Sequence, residues 1–121
     1  MHHTKVKGDL GVLKAQLDLF EQGFVILNPV TEHAPFDLVV YKGGLFKRIQ
    51  VKFKSVDKNG THTRQVDKEE IDLYCIYCPE TDECYYLNPN DCKRSVTLRI
   101  ETAKNNRSRN IRLATDYLGV P

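Results

Sequence analysis

An α/β fold is the architecture this sequence predicts, and three observations predict it. An apolar repeat at helical spacing opens the chain, a run of short β-branched and alternating segments follows it, and a Gly-Gly pair sits between two of those segments where a hairpin would turn. A length of 121 residues suits one domain, residues 1–121, able to bury a modest core without a metal or disulfide staple.

The elements follow in order. Leu10, Leu13, Leu17 and Phe20 recur at intervals of three and four across 8–22 and so line one side of a helix, which Gly23 is placed to end. Phe24-Val-Ile-Leu-Asn28 reads as a strand stopped by Pro29, which cannot donate to a ladder. Phe36-Asp-Leu-Val-Val-Tyr41 and Leu45-Phe-Lys-Arg-Ile-Gln-Val-Lys-Phe53 read as two strands, and Lys42-Gly-Gly44 lets them return antiparallel. The polar stretch 54–70, with Asn59-Gly60, reads as a long loop or a loop holding a short helix. Further strands are expected at 71–78, 84–87 and 96–100, with Pro79-Glu-Thr-Asp82 as a connection and a short helix starting near Asn88-Pro-Asn. A polar basic loop at 104–110 precedes the last apolar segment, 111–118.

Composition narrows the function classes. An apolar share of 40% argues for a folded globule, and 28% charged residues argue for a well-solvated surface rather than disorder. There is no signal series and no apolar run near membrane-spanning length, so the expected location is the cytoplasm, with no membrane partner. Net charge is only +2, but its distribution is uneven. Residues 67–91 hold eight acids against Lys68, whereas 93–112 hold seven bases against Glu101.

Cys75 and Cys78 have zinc-like spacing, with Cys84 and Cys92 nearby, but an offset of three inside a strand sends the first two side chains to opposite faces. Buried free thiols are the expectation. The tyrosines either complete the core or anchor an interface.

The chemistry centres on the hairpin. Antiparallel pairing brings Asp37 toward Gln50 and Lys52, which share a strand face. A carboxylate, an amide carbonyl and an ammonium at a sheet edge suit holding a hard divalent ion and setting water against a phosphate. The same spacing also fits a turn-capping Asp37, a surface Gln50 and an outward-facing Lys52.

Lys7-Gly-Asp-Leu-Gly11 on the helix, Pro35-Phe-Asp37 and Gln50-Val-Lys52 together resemble the PD-(D/E)XK nuclease superfamily, and within it the group I intron-associated endonuclease branch. The likeness runs on through Tyr77-Cys-Pro-Glu-Thr-Asp82, Tyr85-Tyr-Leu87, Thr97-Leu-Arg99 and Asp116-Tyr117, covering nearly the whole chain. It implies a PD-(D/E)XK nuclease-like fold, with a mixed central β-sheet flanked by helices. It also implies Mg2+-dependent hydrolysis of double-stranded DNA, with Mn2+ as a substitute, and assembly as a homodimer or homotetramer.

Residue by residue, the resemblance gives Asp37 the metal-binding acid. Lys52 becomes the lysine that orients water or stabilises phosphate charge. Gln50 takes a ligand position usually held by Asp or Glu, and the backbone carbonyl of Val51 is a further ligand. Val12 departs from the pattern, since a glutamate is expected on the helix there and valine offers no oxygen. Asp9, one turn earlier, is a candidate replacement acid, although helix capping or plain exposure also explains it. Gln16 lies one turn later on the same side. Glu32 and His33 are auxiliary candidates just before the second strand, His33 as a phosphate contact or proton carrier.

For nucleic acid, Lys93, Arg94, Arg99, Lys104, Arg107, Arg109 and Arg112 form a basic segment, 93–112, with Arg64 as a second contact point. The leading expectation is a metal-dependent DNA endonuclease, site-specific in the manner of a homing enzyme. The alternatives are a DNA-binding module of the same fold with a weak or dead centre, and a nuclease selective for junctions or repair intermediates.

Overall fold

Eighteen residues, Thr4–Glu21, form helix α1. Its end is set by the Gly23 backbone at φ +93°, where the Phe24 N–H donates to the Leu19 carbonyl (3.1 Å) and the Gly23 N–H to the Phe20 carbonyl (3.0 Å). Those are the paired bonds of a Schellman stop, and only glycine takes that backbone angle without strain. Our computed structural model of the chain describes residues 4–55, 61–64, 70–91, 95–99, 111–113 and 118–121.

Among the described residues eight strands follow: β1 (Val25–Leu27), β2 (Leu38–Lys42), β3 (Leu45–Phe53), β4 (Thr61–Arg64), β5 (Leu73–Cys78), β6 (Glu83–Leu87), β7 (Ser95–Arg99) and β8 (Ile111–Leu113). Five of them make a sheet in the order β1-β2-β3-β5-β6. The β3–β5 pair is parallel and the other three pairs are antiparallel, so the sheet is mixed. β2 and β3 form the expected hairpin, with Gly43 and Gly44 both at positive φ in the turn. A short 3-10 turn, Pro89–Asp91, stands where the short helix was expected.

A second sheet of three strands runs in the order β4-β7-β8. It corrects the reading of 54–70 as loop or helix, because Thr61–Arg64 is a strand paired with β7. A polar sequence of four residues has no apolar alternation to announce it, and its partner lies more than thirty residues away.

Strand alternation divides the large sheet into two faces. Leu38, Val40, Ile49, Val51, Leu73 and Cys75 pack toward α1 with Ala15 and Leu19, while Ile71, Tyr74, Ile76, Cys78, Tyr85 and Leu87 form a second buried cluster against which half-buried Phe36 packs. Each fully buried aliphatic side chain here contributes about 1.5–3 kcal/mol. Cys75 and Cys78 fall in different clusters, and both are buried free thiols, as is Cys84. Cys92 lies outside the described residues. Tyr74, Tyr77, Tyr85 and Tyr86 are buried, so these four complete the core.

The helix itself sits differently from what its leucine spacing suggests. Gly11, Ala15 and Leu19 face the sheet, whereas Leu13, Leu17 and Phe20 are exposed. Close approach is the reason: a Cβ on Gly11 would lie 3.5 Å from side-chain carbons of both Val51 and Phe53, so the small residues take the inner face. Among the described residues, no helix is long and apolar enough to cross a membrane.

Candidate active site

Asp37 precedes β2 rather than lying within it. Since Leu38 pairs with Ile49 in the antiparallel ladder, Asp37 falls opposite Gln50, and its N–H donates to the Ile49 carbonyl (2.9 Å). Ile49 and Val51 point toward α1, so Gln50 and Lys52 alternate onto the other face of β3. All three side chains are half-buried. The hairpin therefore brings together an acid, an amide and an amine that stand 13 and 15 positions apart in sequence.

One oxygen of Asp37 is fixed. Its Oδ2 accepts the Val51 N–H at 2.7 Å, so the carboxylate occupies the place that a longer β2 would have filled with backbone. Within a strand, the N–H and C=O of one residue point to the same side. The Val51 carbonyl therefore also faces the gap beyond the start of β2, next to the Asp37 carboxylate. Two hard oxygen donors converge there, with the Gln50 carbonyl on the adjoining residue. Among the described residues, neither Gln50 nor Lys52 has a hydrogen bond or ion pair through its side chain.

The other candidates divide. Val12 is half-buried and packs against the cluster under α1, bringing methyl groups and no oxygen. Gln16 donates from Nε2 to Asn28 Oδ1 (2.6 Å), just past β1, so it is engaged there rather than with Asp37. Asp9 is exposed on the helix. Glu32 and His33 are exposed in the turn ahead of β2, where the His33 N–H donates to Thr31 Oγ1 (3.3 Å). The structure does not join either of them to the Asp37 cluster by a described contact. Among the described residues there is no group of three or more His, Cys, Asp and Glu side chains that could hold a metal. A cation at this site would thus depend on amide and backbone oxygens beside a single carboxylate.

Behind the site, Arg48 and Asp72 clamp β3 to the approach of β5. The Arg48 N–H and Nε donate to Asp72 Oδ2 (2.8 and 3.0 Å), Arg48 Nη2 donates to Oδ1 (3.0 Å), and the Asp72 N–H returns to the Arg48 carbonyl (2.8 Å). Hydrogen bonding from Arg48 holds the Asp72 carboxyl below the usual range. Sequence reading missed this pair, and no local signal marks it, since the two residues are 24 positions apart.

Of the basic residues proposed for nucleic acid, Arg64, Arg99 and Arg112 belong to the three strands of the small sheet. Lys93, Arg94, Lys104, Arg107 and Arg109 lie outside the described residues.

Comparison with known proteins agrees with this architecture. A family model described as PD-(D/E)XK endonuclease matches residues 2–119. Among solved structures, that of a bacterial homing endonuclease, I-Ssp6803I, superposes with a TM-score of 0.69 over 96% of this chain and 88% of the other, at 21% identity. No curated protein matches the chain.

Proposed function

The chain belongs to the PD-(D/E)XK endonuclease family, and on that footing we propose that it hydrolyses phosphodiester bonds of double-stranded DNA with a divalent cation, Mg2+ or in its place Mn2+. The observation that carries the reading is the Asp37 carboxylate locked by the Val51 N–H beside Gln50 and a Lys52 that has no side-chain partner among the described residues.

Asp37 Oδ1, the Gln50 carbonyl and the Val51 carbonyl are the oxygens that would hold the cation. When bound, it would polarise the scissile phosphate and make the attacking water more acidic. Lys52 orients that water through its ammonium and stabilises the negative charge that grows on the phosphate as the water oxygen bonds to phosphorus and the ester oxygen leaves. The Val51 N–H keeps the carboxylate from rotating, so orientation is set before substrate arrives. Gln50 in place of an acid and Val12 in place of a glutamate leave one formal negative charge from these positions, so water and a DNA phosphate would complete the cation's surroundings.

Arg64 and the basic segment 93–112 would neutralise phosphates along the duplex. The likeness to a homing endonuclease supports a site-specific cut, and the sequence resemblance to the group I intron-associated branch supports an intron-homing role, with two or four copies supplying the centres needed for both strands. We treat 1–121 as one domain carrying all of this.

The test is single-turnover cleavage across Mg2+ and Mn2+ concentrations for Asp37→Asn and Lys52→Met, alongside circular dichroism and DNA binding. Folded, DNA-binding variants that no longer cut support the assignment, and variants that cut at the parental rate overturn it. A second reading, a DNA-binding module with a dead centre, is favoured by Val12 packing on the core. Parental protein that binds duplex but cuts under no divalent ion would establish that reading instead.

A further inference from the structure

Helix α1 has two apolar faces, and the sheet uses only one. At 100° per residue, Gly11, Ala15 and Leu19 cluster on the inner side, and Val6, Leu13, Leu17 and Phe20 cluster opposite, while Leu10, at the edge of that outer stripe, is half-buried and packs against the core under α1. Leu13, Leu17 and Phe20 are 62%, 56% and 69% exposed, and Val6 is exposed as well. A surface helix ordinarily turns polar residues to water on that side. Intervals of seven, four and three are moreover the spacing of a seam between two helices.

The charges beside this stripe indicate what covers it. Lys5 and Lys7 stand exposed in the first turns and Glu21 ends the helix; its first turn has no acid and its last has no base. For an isolated helix this is the unfavourable arrangement, since the positive end of the dipole meets cations and the negative end an anion. Antiparallel pairing with an identical helix reverses the situation. Lys7, Lys14 and Glu21 recur every seven residues along one flank of the stripe. A two-fold axis near Leu13 and Lys14 therefore sets Lys7 beside Glu21 of the partner subunit, and by symmetry does so twice. Lys14 would meet its own copy at the axis, but its ammonium is already paired with Asp82 at 2.9 Å.

We propose that α1 is a two-fold homodimer interface, in which the outer stripe Val6, Leu13, Leu17 and Phe20 packs antiparallel against the same stripe of a second copy. The stripe would form the apolar centre of a patch of about 800 Å² per partner, the usual size for a stable pair. The inference rests on the endonuclease reading only for why two centres would be needed. Its physical basis is the helix alone.

Analytical ultracentrifugation of the full chain without DNA tests it. The parental protein is expected to be a dimer, or a larger assembly built from dimers. Leu13→Glu/Leu17→Glu is expected to weaken dimerisation at least about a hundredfold through lost apolar burial, with unchanged circular dichroism because both side chains already face solvent. Lys7→Glu alone should weaken the dimer, and Lys7→Glu/Glu21→Lys should restore it. A strictly monomeric parental protein would assign the stripe to some other partner and overturn the proposal, as would a dimer that survives Leu13→Glu/Leu17→Glu. Failure of the charge swap to restore association overturns the antiparallel arrangement. Cleavage is read separately: a monomer that cuts removes the interface and keeps the endonuclease, and an inert dimer does the reverse.

Discussion

Two polar clusters lie on opposite faces of the same sheet, and their wiring differs. Between α1 and β5–β6, Asp18 Oδ2 accepts both the Tyr86 hydroxyl and the Gln22 amide (2.8 Å), while Asp82 accepts the Tyr77 hydroxyl (2.6 Å) and pairs with Lys14. Burial raises the Tyr86 hydroxyl far above its ordinary value and, with Asp82, pushes Tyr77 up to about 12, so both remain protonated donors at neutral pH. At the far end of β3, Asp37 has one oxygen tied to a backbone N–H, and Gln50 and Lys52 have no described side-chain partner. The first cluster is closed, with acids matched to donors from within the chain. The second holds its acid still and leaves ligand capacity open. Carboxylates and cations occur in both, so residue type alone does not separate a closed network from an open one; satisfaction does.

Breaking each cluster should therefore injure a different property. The largest effect is expected at the open one: Asp37→Asn and Lys52→Met should each slow single-turnover cleavage by at least about a hundredfold, the scale of losing one transition-state contact, with the urea midpoint nearly unchanged. In the closed cluster, Asp18→Ala strands the buried Tyr86 hydroxyl and should cost about 1–3 kcal/mol of stability. Cleavage per folded molecule should be retained, and urea unfolding beside the cleavage assay checks both statements. If Asp18→Ala instead abolishes cutting in folded protein, the contrast fails.

A gentler change sharpens the comparison from the other side. Val12→Glu restores an acid at the helix position and should lower the Mg2+ concentration for half-maximal cleavage by about tenfold, equivalent to roughly 1.4 kcal/mol of cation binding. An unchanged Mg2+ requirement would show that this flank of α1 does not reach the centre. The smallest effect concerns the Arg48–Asp72 clamp. Asp72→Asn should cost about 1 kcal/mol, a charge-assisted bond discounted for partial exposure. Since Asp72 has a depressed pKa when folded, its contribution is present above the ordinary carboxylate range and is lost as pH falls through the folded value. The stability gap between parent and variant should accordingly close in acid, which urea midpoints measured against pH will show.

Much of the fold was legible because its signals are local. The run 45–53 coincides with β3, Gly23 ends α1, and the Gly43-Gly44 turn closes the hairpin. The strand β4 escaped notice because its residues alternate in no apolar pattern and its stability comes from β7. Of the candidate site, Asp37, Gln50 and Lys52 could be selected by residue type, hairpin register and resemblance, but the Val51 N–H that fixes Asp37 could not, since it depends on where β2 stops.

The sequence by itself determined the order of elements, the hairpin pairing and the shared face of Gln50 and Lys52, because backbone periodicity and glycine conformations act over a few residues. Which side of α1 faces the sheet was decided only by tertiary packing. Leucine spacing marks an apolar stripe without saying what it meets, and here Gly11 and Ala15 win the inner face because β3 passes too close for leucine. The same close approach leaves Leu13, Leu17 and Phe20 in solvent. The clamp of Arg48 on Asp72 and the lock of Val51 on Asp37 likewise exist only after strands distant in sequence have been brought into register.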